Sequence, residues 1–387
     1  MRVRDHSLLL ELLARPTAPF REQRVIELVT AVLQDRAVPF FIDPVGNVVV
    51  GCESPAAYAR LLAARAPEPV RLYVAHMDHP GFHGMRWLGR ERLRVRWHGG
   101  APTRHLTNAR VWIADAEGRE YEGRLHAARL ARGGRTVDTA EVRLRAAAAV
   151  PRRPPTALYG GFGFRAPVWR SGRLLYARAA DDLVGVYAVL RTALYNRRRR
   201  AAAAAPFIGL LTRAEEVGFI GAIGHLELGW LERAHRPVIC ISLETSGTLP
   251  NALVGKGPVV RLGDRRTVFD PSGLDVLAQL ARQLLPGRHQ RRIMDGGTCE
   301  ATAATVYGMR AIGISVPLGN YHNQGFEGGP ECRGRNGPAP EFVHLDDVEG
   351  LLALCRGLLR PGLPWGAAWR NERRAYKKRL QNYRALL

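Results

Sequence analysis

The sequence predicts an α/β protein that carries a small inserted all-β domain, and two patterns predict it. Over most of the chain, segments with apolar residues at helical spacing alternate with short apolar segments of strand length. This alternation is typical of folds in which helices cover a buried sheet. From about residue 84 to residue 167 the helical spacing is lost, and segments rich in β-forming residues are separated by glycine turns. A β domain therefore interrupts the α/β domain.

The α/β domain begins at the N-terminus with alternating helices and strands. Helices are predicted at 8–14 and 21–35, followed by two short strands within 38–51 and a longer strand at 70–75. The longer strand ends at His76, and Asp78 follows two residues later. A metal-bound imidazole usually donates its second N–H to a neighbouring acceptor such as a carboxylate. This spacing therefore makes His76 a candidate ligand, although a lone histidine after a strand is more often structural.

After the β domain, the helical and strand patterns return. Asp181 and Asp182 stand at the predicted start of a helix with an apolar face, which we expect to open at Asp181, and an aspartate at that position is by itself most simply a helix cap. Further strands are expected at 206–212, 237–243 and 311–316, helices at 222–233, 274–285 and 346–359, a linker at 197–205, and a glycine-rich loop at 324–340. The predicted organisation is an α/β domain in two parts, 1–83 and 168–363, with the β domain at 84–167 and a basic C-terminal tail at 364–387.

The formal charge of +22 comes almost entirely from arginine, because all but three of the 57 basic residues are arginines. Most of these arginines are scattered along the chain and do not form a stripe or cluster. A net charge of this size can indicate a nucleic-acid partner. The scattering instead favours a general surface property, so we expect no specific nucleic-acid partner.

The cysteines and the apolar segments bear on the cellular compartment of the protein. The five cysteines are far apart and form no C-x-x-C pair, which argues against a disulfide framework and favours a reducing compartment. No apolar run approaches the roughly 20 residues of a membrane span. We therefore expect a cytoplasmic protein without a membrane partner.

Groups that commonly bind metals follow the predicted strands. His76, the pair Glu215 and Glu216, Glu244 and His322 each come after an apolar strand, and Asp181 precedes a helix. The ends of the strands in an open α/β sheet meet in one crevice, where sites form. Adjacent carboxylates after a buried strand repel each other unless a cation, a proton or a hydrogen bond separates their roles. The sequence therefore predicts a metal site at these strand ends.

The order of these groups resembles that of a known family, the glutamyl aminopeptidases and tetrahedral aminopeptidases, which are dinuclear metallopeptidases. The resemblance rests on the motifs His76-Met-Asp78, Asp181-Asp182-x-x-Gly185, Glu215-Glu216-Val-Gly218, Glu244-Thr, Gly255-Lys-Gly-Pro258, Gly296-Gly-Thr298 and the histidine after Ser315-Val-Pro. It extends from the N-terminal helices to about Leu359. It implies a three-layer α/β/α sandwich as the catalytic domain, with an inserted barrel-like β domain and a large homo-oligomer.

The resemblance also implies a role for each site residue. Asp181 would bridge two divalent ions, with His76 and Glu244 completing one site and Glu216 and His322 completing the other. Asp78 would orient His76, and Glu215 would be the general base for a metal-bridging water that acts as the nucleophile. Zinc is the expected metal, and cobalt and manganese are alternatives, because mixed imidazole and carboxylate ligands suit all three. The implied activity is removal of N-terminal residues from short peptides.

Several positions depart from the family pattern. Glu244 replaces an aspartate, Leu183 an arginine, His79-Pro80 a Glu-Val pair and Cys299-Glu300 an Asp-Ala pair, and the loop 324–340 is longer than usual. Two other functions remain open. A deacylase of the aminoacylase type would share the ligands, but in those relatives the extra domain follows the Glu-Glu pair. A basic nucleic-acid-binding protein with an inactive site would rest on net charge alone.

Overall fold

The computed structural model describes residues 6–145, 153–198, 205–367 and 369–387. The described helices are α1 Ser7–Ala14, α2 Gln23–Asp35, α3 Pro55–Ala63, α4 Leu183–Arg197, α5 Ile220–Glu227, α6 Pro271–Leu284, α7 Glu300–Val306, α8 Leu345–Leu358 and α9 Arg370–Tyr383. The strands of the α/β part are β1 Phe40–Ile42, β2 Val48–Val50, β3 Val70–His76, β10 Val168–Ser171, β11 Leu174–Ala177, β12 Phe207–Thr212, β13 Val238–Gly247, β14 Val259–Asp264, β15 Gln290–Met294, β16 Arg310–Leu318 and β17 Glu341–His344.

Eight of these strands form one mixed sheet in the order β1-β2-β12-β3-β13-β16-β14-β15. Its four central strands, β12, β3, β13 and β16, are parallel. Each of them is buried nearly from end to end, as expected for strands covered on both faces. The carboxyl ends of these four strands meet at one edge of the sheet.

Helices pack on both faces of this sheet. The Tyr73 hydroxyl of β3 donates to the Cys355 carbonyl oxygen of α8, so Tyr73 faces α8. Leu72 points to the opposite face because side chains alternate along a strand. Its register partner Cys240 lies on that face beside Glu300 of α7. The predicted three-layer α/β/α sandwich is confirmed.

The inserted β domain is a closed six-stranded barrel. Its strands, in the order β4-β5-β8-β7-β6-β9, are β4 Gly81–Trp87, β5 Arg92–His98, β6 Ala109–Ala114, β7 Glu120–Leu130, β8 Val137–Leu144 and β9 Tyr159–Phe162. A separate apolar core that includes Phe82, Trp97, Val111 and Phe162 fills it. The barrel strands lie between residues 81 and 162, and the division of the chain at 84 and 167 remains a proposal.

Some elements differ from the expectation. The helix expected to open at Asp181 begins at Leu183, and its cap is Asp182, whose side chain accepts the Gly185 N–H at 3.2 Å. Helix α3 and the small antiparallel sheet β10-β11-β17 were not predicted. Helix α9 in the basic tail is exposed along its described side chains, except for half-buried Glu372. Most of the linker predicted at 197–205 lies outside the described residues.

Among the described residues, no helix is both long enough and apolar enough to span a bilayer.

Candidate metal centre

The parallel strands bring the predicted ligands together at the carboxyl edge of the sheet. His76 is the last residue of β3, and its register partner Thr212 ends β12, three residues before Glu215. Glu244 lies in β13, two residues past the last pair between β13 and β3. His322 follows the end of β16, and Asp181 precedes α4. The fold therefore places groups from five segments in one crevice.

The first cluster contains His76, Asp181 and Glu244. One potential ligand atom from each residue lies within 4.8 Å of the other two. His76 Nε2 is 3.6 Å from Asp181 Oδ1. The three side chains are 1, 2 and 7% exposed, respectively. This cluster matches the first site implied by the resemblance.

The second cluster contains Asp181, Glu216 and His322, again within 4.8 Å of one another. His322 Nε2 is 3.1 Å from Glu216 Oε2 and 3.7 Å from Asp181 Oδ2. The two carboxylate oxygens of Asp181 therefore face different histidines, as a carboxylate bridging two ions must. A third grouping, of His76, Glu215 and Glu216, is also close enough to hold an ion.

The hydrogen bonds of the site leave several carboxylate oxygens free. Within the described part of the chain, Asp181 Oδ1, Glu216 Oε1 and Glu244 Oε1 are buried and have no hydrogen-bond partner. Buried polar atoms are nearly always paired, so atoms without a partner at one place require another explanation. A divalent cation would use these lone pairs, and imidazole and carboxylate donors suit zinc, cobalt or manganese. The residues present therefore fit a metal centre.

Electrostatics also favour a cation in this crevice. Burial, together with Glu216 and Glu244, raises the pKa of Glu215 well above its usual range, against the opposing effect of His76. Burial raises the pKa of Glu244 to about 8. Burial alone would lower the pKa of His76, but Glu215 and the neighbouring aspartates hold it well above its ordinary value. Without a bound cation, the protein groups therefore supply too little positive charge to keep Glu215 and Glu244 fully ionised.

Asp78 contacts both His76 and the turn that carries the two glutamates. Its carboxylate oxygen Oδ1 is 3.6 Å from His76 Nδ1, whereas its backbone carbonyl oxygen is 3.1 Å from that nitrogen. The carboxylate accepts the backbone N–H groups of Glu215 at 2.9 Å and Glu216 at 3.1 Å. Asp78 thus links His76 to the turn that carries the two glutamates.

The barrel contributes a contact that the sequence did not indicate. Gly100, between β5 and β6, lies so close to His322 that a Cβ atom there would be 1.9 Å from His322 Nδ1. The imidazole also stacks on the Tyr321 ring, with centroids 3.7 Å apart. Only glycine leaves room at position 100 for the present orientation of His322. A Gly-Gly pair in a loop is too common to predict such a contact.

Replacing Gly100 with alanine is therefore expected to weaken metal binding at the second site. The added methyl group would displace the His322 ring, and a misplaced ligand should lower the affinity for one ion by about 10- to 100-fold, as loss of ligand orientation does elsewhere. Competition with a metallochromic chelator measures this. Gly366→Ala is the control, because a Cβ at Gly366 meets open space. Equal affinities in both variants would show that Gly100 does not orient His322.

Comparison with known proteins supports the resemblance. Residues 159–325 match the model of the M42 glutamyl aminopeptidase family. This segment contains Asp181, Glu216, Glu244 and His322, but not His76. A search of curated proteins by sequence found no match.

Solved structures share the fold. An aminopeptidase from the archaeon Desulfurococcus kamchatkensis is 20% identical, with a TM-score of 0.71 over 92% of this chain and 95% of that one. The TET1 peptidase of Pyrococcus horikoshii, which assembles into a tetrahedron or a large octahedral shell, is 20% identical with a TM-score of 0.69, over 91% and 98% of the two chains. The resemblance suggested by the motifs is thus confirmed: residues 159–325 match the M42 glutamyl aminopeptidase family, and this match together with the shared fold indicates a peptide-bond hydrolase.

Proposed function

We propose that the protein is an aminopeptidase that uses two divalent metal ions to remove N-terminal residues from short peptides. The observation that carries this proposal is the position of Asp181, whose two oxygens face His76 and His322 separately. His76 and Glu244 would complete one metal site, and Glu216 and His322 would complete the other. Zinc is the first candidate for the metal, with cobalt and manganese as alternatives.

The metal ions, when bound, would supply Lewis acidity that activates a water molecule and polarises the scissile carbonyl. The surroundings of Glu215 support a role for it in proton transfer. Its Oε2 is 3.8 Å from His76 Nε2, its side chain is 9% exposed, and its backbone is fixed by Asp78. We assign Glu215 as the general base that accepts the proton of the water and passes it to the leaving amine.

A cavity beside Glu244 is suited to the side chain of the N-terminal residue. It has a volume of about 230 Å³, and its lining includes Arg261, Tyr321, Phe326 and Glu327. Phe326 and Glu327 belong to the loop 324–340. The same loop contacts the barrel, because the Arg333 guanidinium donates to the carbonyl oxygens of Thr107 and Asn108. We therefore expect the loop to narrow the approach to the metal centre, so that short peptides enter more readily than folded proteins.

We also propose a cytoplasmic homo-oligomer. The TET1 peptidase of Pyrococcus horikoshii, which has a similar fold, can assemble into a tetrahedron or a large octahedral shell. The free cysteines of this chain, four of them buried, are compatible with a reducing compartment.

Elemental analysis of the reconstituted protein tests the metal proposal. We expect two divalent ions per chain, and His322→Ala is expected to retain one, since the first site keeps His76 and Glu244. His235→Ala is a matched control, because His235 is exposed and precedes β13 at the opposite edge of the sheet. A stoichiometry of one or below in the unmodified chain would refute the bridged arrangement.

A further inference from the structure

Glu341 is a buried carboxylate that contacts the two segments carrying Asp181 and His322. It is the first residue of β17 and is 0% exposed. Its Oε2 accepts the backbone N–H groups of Ala180 at 2.7 Å and Asp181 at 3.2 Å. Its Oε1 accepts the backbone N–H of His322 at 2.9 Å. One side chain thus fixes the backbone of the proposed bridging ligand and of a ligand to the second ion.

The backbone at these positions lies outside the strand ladders, although the Ala180 carbonyl oxygen also accepts the Val184 N–H at 3.1 Å and the Thr245 hydroxyl at 3.2 Å. Ala180 and Asp181 lie between β11 and α4, and His322 lies in a short turn after β16 with φ of 55°. Neither segment is part of a regular strand or a long helix that would hold its N–H groups. The carbonyl oxygen of Asp181 is in turn 2.8 Å from His79 Nδ1. Asp181 is therefore held at both its backbone groups, by Glu341 and by His79.

We propose that Glu341 is a positioning residue that keeps Asp181 and His322 at the separation needed to hold the second metal ion. This inference rests on the proposed two-metal function. Glu341 itself is not assigned as a ligand, because both its oxygens already accept backbone hydrogen bonds. In its ionised form the carboxylate strengthens all three hydrogen bonds, since an ionised acceptor binds N–H groups more strongly than a neutral one.

Hydrogen exchange in the metal-free protein tests this role without depending on metal or activity. Glu341→Gln keeps the volume of the side chain but replaces one acceptor oxygen by an NH₂ group, which cannot accept a hydrogen bond. We expect amide hydrogen exchange at residues 180–181 or at residue 322 to become at least about tenfold faster. A hydrogen bond to a charged group changes the equilibrium constant of local opening by about this factor.

Asp347→Asn is the matched control. Asp347 is also 0% exposed, and its carboxylate accepts the backbone N–H groups of Gly255 at 2.6 Å and Gly257 at 2.7 Å. Neither of these hydrogen bonds involves a proposed metal ligand. We expect Asp347→Asn to accelerate amide hydrogen exchange only around residues 255–257. The variant therefore shows the effect of losing a similar buried contact away from the metal centre.

Metal binding provides the second measurement. Glu341→Gln is expected to bind one of the two ions about 10- to 100-fold more weakly, the usual effect of removing a group that orients a ligand. Asp347→Asn should retain both affinities. The proposal would be overturned if Glu341→Gln matched Asp347→Asn in metal affinity, or if exchange at 180–181 and 322 did not change.

Glu341→Asp covers the case in which the glutamine variant fails to fold. The shorter side chain keeps the charge but cannot reach both segments at once, so we expect faster exchange in one of them and a weaker second ion. Wild-type exchange and affinity in this variant would refute the positioning role. If the unmodified chain binds fewer than two ions while the exchange effects appear, the two-metal function fails and the structural contact made by Glu341 remains.

Discussion

Glu215→Gln is expected to lower kcat by about 10²- to 10⁴-fold while the protein keeps its fold and both metal ions, since a positioned proton carrier contributes this much. Glutamine preserves the shape of the side chain but cannot accept the proton of the attacking water. The backbone N–H of Glu215 would still be held by Asp78 at 2.9 Å, so the turn should not move. Steady-state kinetics combined with elemental analysis measures both consequences.

The neighbouring substitution separates the roles of the two glutamates. Glu216 Oε2 is 3.1 Å from His322 Nε2, so Glu216→Gln is expected to weaken one metal site. This comparison is informative because His76, Glu215 and Glu216 are also close enough to form a metal site of their own. If Glu215→Gln released an ion and Glu216→Gln kept both with a low kcat, the two assignments would have to be exchanged.

The sequence was sufficient to predict the layered fold because the local patterns were strong. The central strands are predominantly apolar segments, and the positions of His76 and Thr212 at strand ends follow from those segments. The sheet β10-β11-β17 was not predictable in this way. Its strands have four residues each, and β11 pairs with β17 more than 160 residues later. Pairings over such a distance depend on tertiary packing, which a local pattern does not contain.

For the candidate site, the sequence indicated the proposed metal ligands but not the residues that position them. The proposed ligands could be found because their chemistry is recognisable in the sequence and each lies near the end of an element. Gly100 and Glu341 could not be found because their contribution is geometric. Gly100 matters through the absence of a side chain beside His322, and Glu341 through hydrogen bonds to backbone N–H groups. Such contacts involve no motif, so only the three-dimensional structure reveals them.

The enzyme is expected to require a free α-amine on its substrate. Four carboxylates, those of Asp181, Glu215, Glu216 and Glu244, surround the proposed metal positions. Burial is the main cause that raises the pKa of Glu215 and Glu244, and repulsion from neighbouring carboxylates adds to it, so a positive charge in the crevice would stabilise their ionised forms. A protonated amine supplies such a charge, whereas an N-acetyl group carries no charge and needs more room.

Comparing kcat/KM for a free tripeptide, its N-acetyl form and N-acetyl amino acids tests this requirement. We expect the acetylated compounds to react at least about 100-fold more slowly, because a site built for a polar group discriminates strongly against a ligand that leaves its buried groups unpaired. The loop 324–340 should add to the difference, since its contacts with Thr107 and Asn108 of the barrel restrict the space for a bulkier N-terminus. Faster hydrolysis of the N-acetyl amino acids would instead identify the enzyme as a deacylase, with the same residues acting on an acyl group in place of a peptide.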